Sequence, residues 1–91
     1  MKYQLSISYL TDDDLRPYRP TIPEHEEADI FIQAFVEDIS LFSCTTSAYL
    51  EQLTVIIELK SDFNLKNLND ELKVMNPIYR EMFKTTGFFK V

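Results

Sequence analysis

Residues 2–10, KYQLSISYL, alternate without a break: Tyr3, Leu5, Ile7 and Tyr9 point to one side, Lys2, Gln4, Ser6 and Ser8 to the other. A period of two over that length predicts a strand with one buried and one wet face. Whatever this chain folds into must therefore contain a half-covered sheet. The pattern returns in LTVIIELK at 53–60, where Leu53, Val55, Ile57 and Leu59 oppose Thr54, Ile56, Glu58 and Lys60.

Between these two segments, Ala28, Phe31, Ile32, Phe35, Val36 and Ile39 recur at helical spacing. Thr21 is the expected N-cap, with Pro23 in the first turn and Glu24, Glu26 and Glu27 where the helix dipole favours negative charge. The preceding TDDDLRPYRPT reads as a loop with a single helical turn capped by Thr11. SLFSCTT at 40–46 reads as a short strand, and 47–52 as its connection to the next.

After a turn at SDFN, Leu65, Leu68, Leu72 and Met75 recur at helical spacing behind Asn64 or Asn67 as cap. Pro77 interrupts, yet Ile78, Tyr79, Met82 and Phe83 resume the period. That predicts a kinked or broken helix to about residue 85, with Gly87 at its C-cap and 88–91 as a short edge strand. The predicted order is β-α-β-β-α-β over residues 1–91. This is one α+β domain of the ferredoxin-like kind, a four-stranded antiparallel sheet with two helices on one face.

Composition removes several chemistries. One glycine cannot supply a phosphate-cradling GxxxxGK[ST] or GxGxxG loop, and one cysteine cannot build a disulfide framework or a cysteine-rich zinc site. No cofactor is expected. The longest apolar runs have three residues, against about 20 for a membrane span. Polar residues at every second position from Gln4 to Ser8 leave no apolar stretch for a signal peptide. With the lone Cys44, this predicts a cytoplasmic protein that does not engage membranes.

The net charge of −6 is unevenly distributed. Residues 11–38 hold nine acids and two bases, a net −7, and the remainder six acids and seven bases, a net +1. A focused negative field attracts basic partners and opposes direct nucleic-acid binding, which needs a Lys/Arg stripe. The same acids also have a plain structural use, stabilising a first helical turn by roughly 0.3–1 kcal/mol each.

Catalytic constellations are sparse. Asp12, Asp13 and Asp14, with Glu24, His25 or Glu26, offer hard oxygen ligands for Mg²⁺ or Mn²⁺, although consecutive side chains rarely converge on one ion. With Tyr9-Leu10-Thr11-Asp12 placing an acid just past the first strand, the expected topology resembles that of small CRISPR-associated nucleases. The resemblance covers the topology and that carboxylate, but the Arg-rich segment and aromatic-flanked strand motif of that family are missing. It implies a metal-dependent nuclease using Asp12 or Asp13. Nucleophilic catalysis would need Cys44 with His25, the only histidine. Cys44 reads instead as a small core hydrophobe on a strand, beside Phe42. The wet sheet face (Gln4, Ser6, Ser8, Thr54) lacks the aromatics of an RNA platform.

The leading expectation is a non-enzymatic module that binds and neutralises a basic protein partner, in the manner of immunity proteins, antitoxins and phage-encoded inhibitors. Asp12, Asp13, Asp14, Glu24, Glu26, Glu27 and Asp29 would steer association, and Tyr18 would add desolvated contact area. A structural homodimer, joined through a sheet edge or an Ile56/Phe88 patch, is the other alternative. The expected state is monomer or homodimer.

Overall fold

The computed structural model describes residues 1–17 and 21–91. Its strands are β1 (Lys2–Tyr9), β2 (Thr45–Glu51), β3 (Thr54–Leu59), β4 (Phe83–Thr85) and β5 (Phe89–Lys90). Its helices are α1 (His25–Ser40), α2 (Leu65–Lys73) and α3 (Tyr79–Met82), with one 3-10 turn at Asp12–Asp14. The fold is α+β, and its sheet is antiparallel throughout, in the order β2-β3-β1-β4 with β5 also on β1.

The alternation places the sheet as expected. Tyr3, Leu5, Ile7, Val55, Ile57 and Leu59 are buried and form one core with Ile32, Phe35, Val36 and Ile39 of α1, Leu68 of α2, and Tyr79 and Met82 of α3. The helices thus share the apolar face, while Gln4, Ser6, Thr54, Ile56 and Glu58 remain partly exposed on the other.

Five strands and three helices stand where four and two were expected, because both late elements are interrupted. Pro77 lacks an N–H and disfavours α geometry at Asn76, which separates α2 from α3. The expected continuation to residue 85 fails: Phe83 is extended (φ −162°) and pairs with Tyr9. Gly87 is accordingly no helix cap; it lies between β4 and β5, and no glycine has positive φ. The last strand breaks there but keeps its contact with β1. The Ser6 N–H donates to Thr86 Oγ1 (3.0 Å), and the Thr86 N–H to the Ser6 carbonyl (2.9 Å).

Two further expectations are corrected. Thr21 does not cap α1, whose N-cap is Glu24. A cap at Thr21 would put Ile22 in α geometry immediately before Pro23, where the proline ring clashes with it. The second strand is Thr45–Glu51, not 40–46, because α1 continues to Ser40 and 41–44 form the turn. Residues 47–51 therefore pair with β3 instead of connecting to it. The reversal is the two-residue Gln52-Leu53, with Gln52 at φ 57°, a conformation usually signalled by Gly, Asn or Asp.

Candidate functional site

Tyr9, at the end of β1, holds the acidic segments together. Its ring stacks on His25 (centroids 3.8 Å apart, planes 8° from parallel), and its hydroxyl donates to Asp29 Oδ1 at 2.5 Å. The start of α1 is thereby fixed against the end of β1. Asp12 and Asp13 follow Tyr9 by so few residues that chain geometry keeps them within about 15 Å of it. The hydrogen bond to the Asp29 carboxylate, with smaller contributions from desolvation and its charge, raises the Tyr9 phenol above its usual range.

The expected acids differ in how they are used. Asp14 is committed to the fold: its carboxylate accepts from the Thr11 N–H (2.7 Å) and hydroxyl (3.2 Å), closing the 3-10 turn, and lies 3.0 Å from Lys84 Nζ on β4. The Thr11 N–H first, then Lys84, hold its carboxyl below the usual aspartate value. Asp29 is engaged by Tyr9. Asp12, Asp13, Glu24, Glu26 and Glu27 are exposed and form no ion pair among the described residues. Arg16, the described base next to Asp12 and Asp13 in sequence, donates instead to the carbonyls of Leu15 (2.7 Å) and Asp13 (3.1 Å). Tyr18 lies outside the described residues. A cleft of about 340 Å³ opens beside this cluster, with Asp29, Gln33 and Gln52 as polar groups and Ile32, Leu50 and Leu53 as apolar wall.

Among the described residues no three His, Cys, Asp or Glu side chains converge as a metal site requires. Cys44 and His25 do not meet. Cys44 is buried in the turn just before β2, not on the strand, and its thiol donates to Glu71 Oε2 (3.0 Å). Burial first, then the Glu71 carboxylate, push that thiol up to about 11, the opposite of an activated nucleophile. Glu71 also accepts from the N–H (3.2 Å) and hydroxyl (2.9 Å) of Ser43. Burial opposes its ionisation, but the Cys44 and Ser43 donors outweigh burial and hold its carboxyl below the usual value.

The Ile56/Phe88 patch is also revised. Phe88 packs against the core, and Phe89, 56% exposed, lies opposite Gln4 on the open face. One cross-strand row there reads Tyr49, Ile56, Gln4, Phe89. No described helix is long and apolar enough to cross a membrane. The chain matches no protein-family model, and no curated protein or solved structure shows significant similarity to it.

Sequence reading missed the Tyr9–His25–Asp29 cluster and the Glu71 contacts. Tyr9 carries only a core-strand signal, and nothing local joins Glu71 to Ser43. A short polar turn entering a buried cysteine was the available hint, since such a turn needs hydrogen-bond partners from elsewhere.

Proposed function

We propose that this protein is a non-enzymatic binding module that engages and neutralises a basic protein partner, as immunity proteins, antitoxins and phage-encoded inhibitors do. The observation that carries the reading is the group of exposed carboxylates of Asp12, Asp13, Glu24, Glu26 and Glu27, which form no ion pair among the described residues and lie within a few residues of Tyr9 or His25, the two rings that stack. Charges of one sign fixed on one end of a small protein accelerate encounter with the opposite sign and set its orientation. The cleft beside Asp29 suits a Lys or Arg side chain, whose stem can lie on Ile32, Leu50 and Leu53 while its head meets the carboxylate. The lone cysteine supports action in the reducing cytoplasm. We read the fold as a variant of the ferredoxin-like βαββαβ arrangement, supported by the order β2-β3-β1-β4 with β4 and β5 sharing one flank of β1.

The test starts from a partner captured from the native host at low salt and released at high salt. Charge reversal of Asp12, Asp13, Glu26 and Glu27 to Lys, leaving Asp14 with Lys84, is expected to slow association about tenfold or more and to flatten its salt dependence. An unchanged association rate overturns the reading. The open-face row of Tyr49, Ile56 and Phe89 favours self-association as a second reading. Light scattering that returns a concentration-independent monomer removes it.

A further inference from the structure

At the broken second helix lies a cleft of about 750 Å³, within the range of small-ligand sites. Its floor is aromatic. Phe35 meets Phe83 and Tyr79 edge-on, with centroids 5.1 and 5.3 Å apart, and all three rings are buried. The Tyr79 hydroxyl donates to Asp38 on α1, anchoring that floor to the first helix. Leu72 and Met75 supply an apolar wall. The helix stops at Lys73 and resumes at Tyr79, so no continuous helix roofs the aromatic cluster.

The rim is cationic. Lys73 ends α2, Arg80 lies on α3 and Lys84 on β4, and no Asp or Glu lines the cleft among the described residues. In a chain of net charge −6 this is the reverse of the surface around Tyr9. Lys84 also reaches Asp14 at 3.0 Å, and its flexible stem lets one ammonium serve either carboxylate. Asn69 and Asn76 add amide groups at the margin. An apolar floor under a cationic rim complements a molecule with an apolar body and an anionic head.

We infer that the cleft between α2, α3 and β4 binds a small hydrophobic carboxylate, an alkyl or aryl acid, its body against the half-buried Leu72 and Met75, above the sealed rings of Phe35, Tyr79 and Phe83, and its head at Lys73, Arg80 and Lys84. The inference is independent of the basic-partner reading and concerns a different surface.

Methyl and amide NMR titration of the full chain with monomeric dodecanoate or 2-naphthoate tests it. Saturable shifts are expected at Leu72, Met75, Lys73, Arg80 and Thr85. The double variant Lys73→Gln/Arg80→Gln should weaken binding roughly fivefold, and Met75→Phe, which narrows the cleft, should weaken it without removing the charge. Lys66→Gln/Lys90→Gln, outside the cleft, should leave binding unchanged. Equal binding of dodecyltrimethylammonium, shifts spread over the whole surface, or no saturation overturns the inference. Binding of an acidic peptide but neither carboxylate overturns it too, in favour of a protein ligand.

Discussion

Over sixteen residues α1 sinks Ala28, Ile32, Phe35, Val36 and Ile39 into the core, whereas α2 sinks Leu68 alone. The first helix is held along its length by apolar contact, leaving its outer side to carry charge at little structural cost. The second is held more sparsely: half-buried Leu65 and Leu72 flank Leu68 against the core, Asn64 and Asn67 accept from each other's N–H groups at its start (3.3 and 3.0 Å), and Glu71 meets the 43–44 turn near its end. Continuous packing builds a firm platform, while sparser attachment permits a cleft. The two candidate surfaces follow that division, the acidic one on α1 and the cationic one beside α2.

The contrast breaks if core truncations under the two helices are equivalent. Phe35→Ala should cost about 3–5 kcal/mol in urea unfolding, because Phe35 supports Tyr79 and Phe83 as well as α1. Leu68→Ala should cost about 2–3 kcal/mol, as a lightly held helix can settle into the space. Hydrogen exchange should then release α2 amides at lower free energy than α1 amides. Matching losses and matching exchange would show that the helices are held alike.

A smaller effect tests the polar attachments. Asn64→Ala should cost about 1 kcal/mol by chemical denaturation, where an exposed asparagine without a capping role would cost almost nothing. The smallest effect is a pH dependence. The Glu71 carboxyl is lower in the folded chain than its ordinary value of 4.5, so its stabilisation is complete above that value and is lost as pH falls through the folded value. Glu71→Gln should lower stability at neutral pH and make its decline below about pH 4.5 shallower. An unchanged acid limb would remove the carboxylate from the account of that turn.

Legibility in the sequence followed the range of the interactions. The alternation of β1 and β3, the buried stripe of α1, a cap at Asn64 or Asn67 and an interruption at Pro77 rest on residues a few positions apart, and local pattern predicted them; the structure puts the cap at Asn64 and makes the interruption a break. The hairpin was displaced because Gln52 turns the chain without Gly, Asn or Asp. The helix was expected to run too far because pairing of Phe83 with Tyr9 outweighed the helical periodicity of 78–83. The acids were visible as composition. Which of them are already occupied was not, since Asp14 is claimed by Lys84 and Asp29 by Tyr9 from distant parts of the chain.

The interruption between β4 and β5 has a consequence for the sheet as a template. A strand broken after three residues presents no continuous row of backbone groups for another chain to copy. The opposite margin, seven-residue β2, is longer and ends on Glu51, with an irregularity at Thr45–Ser47. Lateral growth of this sheet into a fibre would therefore have to begin at β2, where a carboxylate and a bulge stand guard.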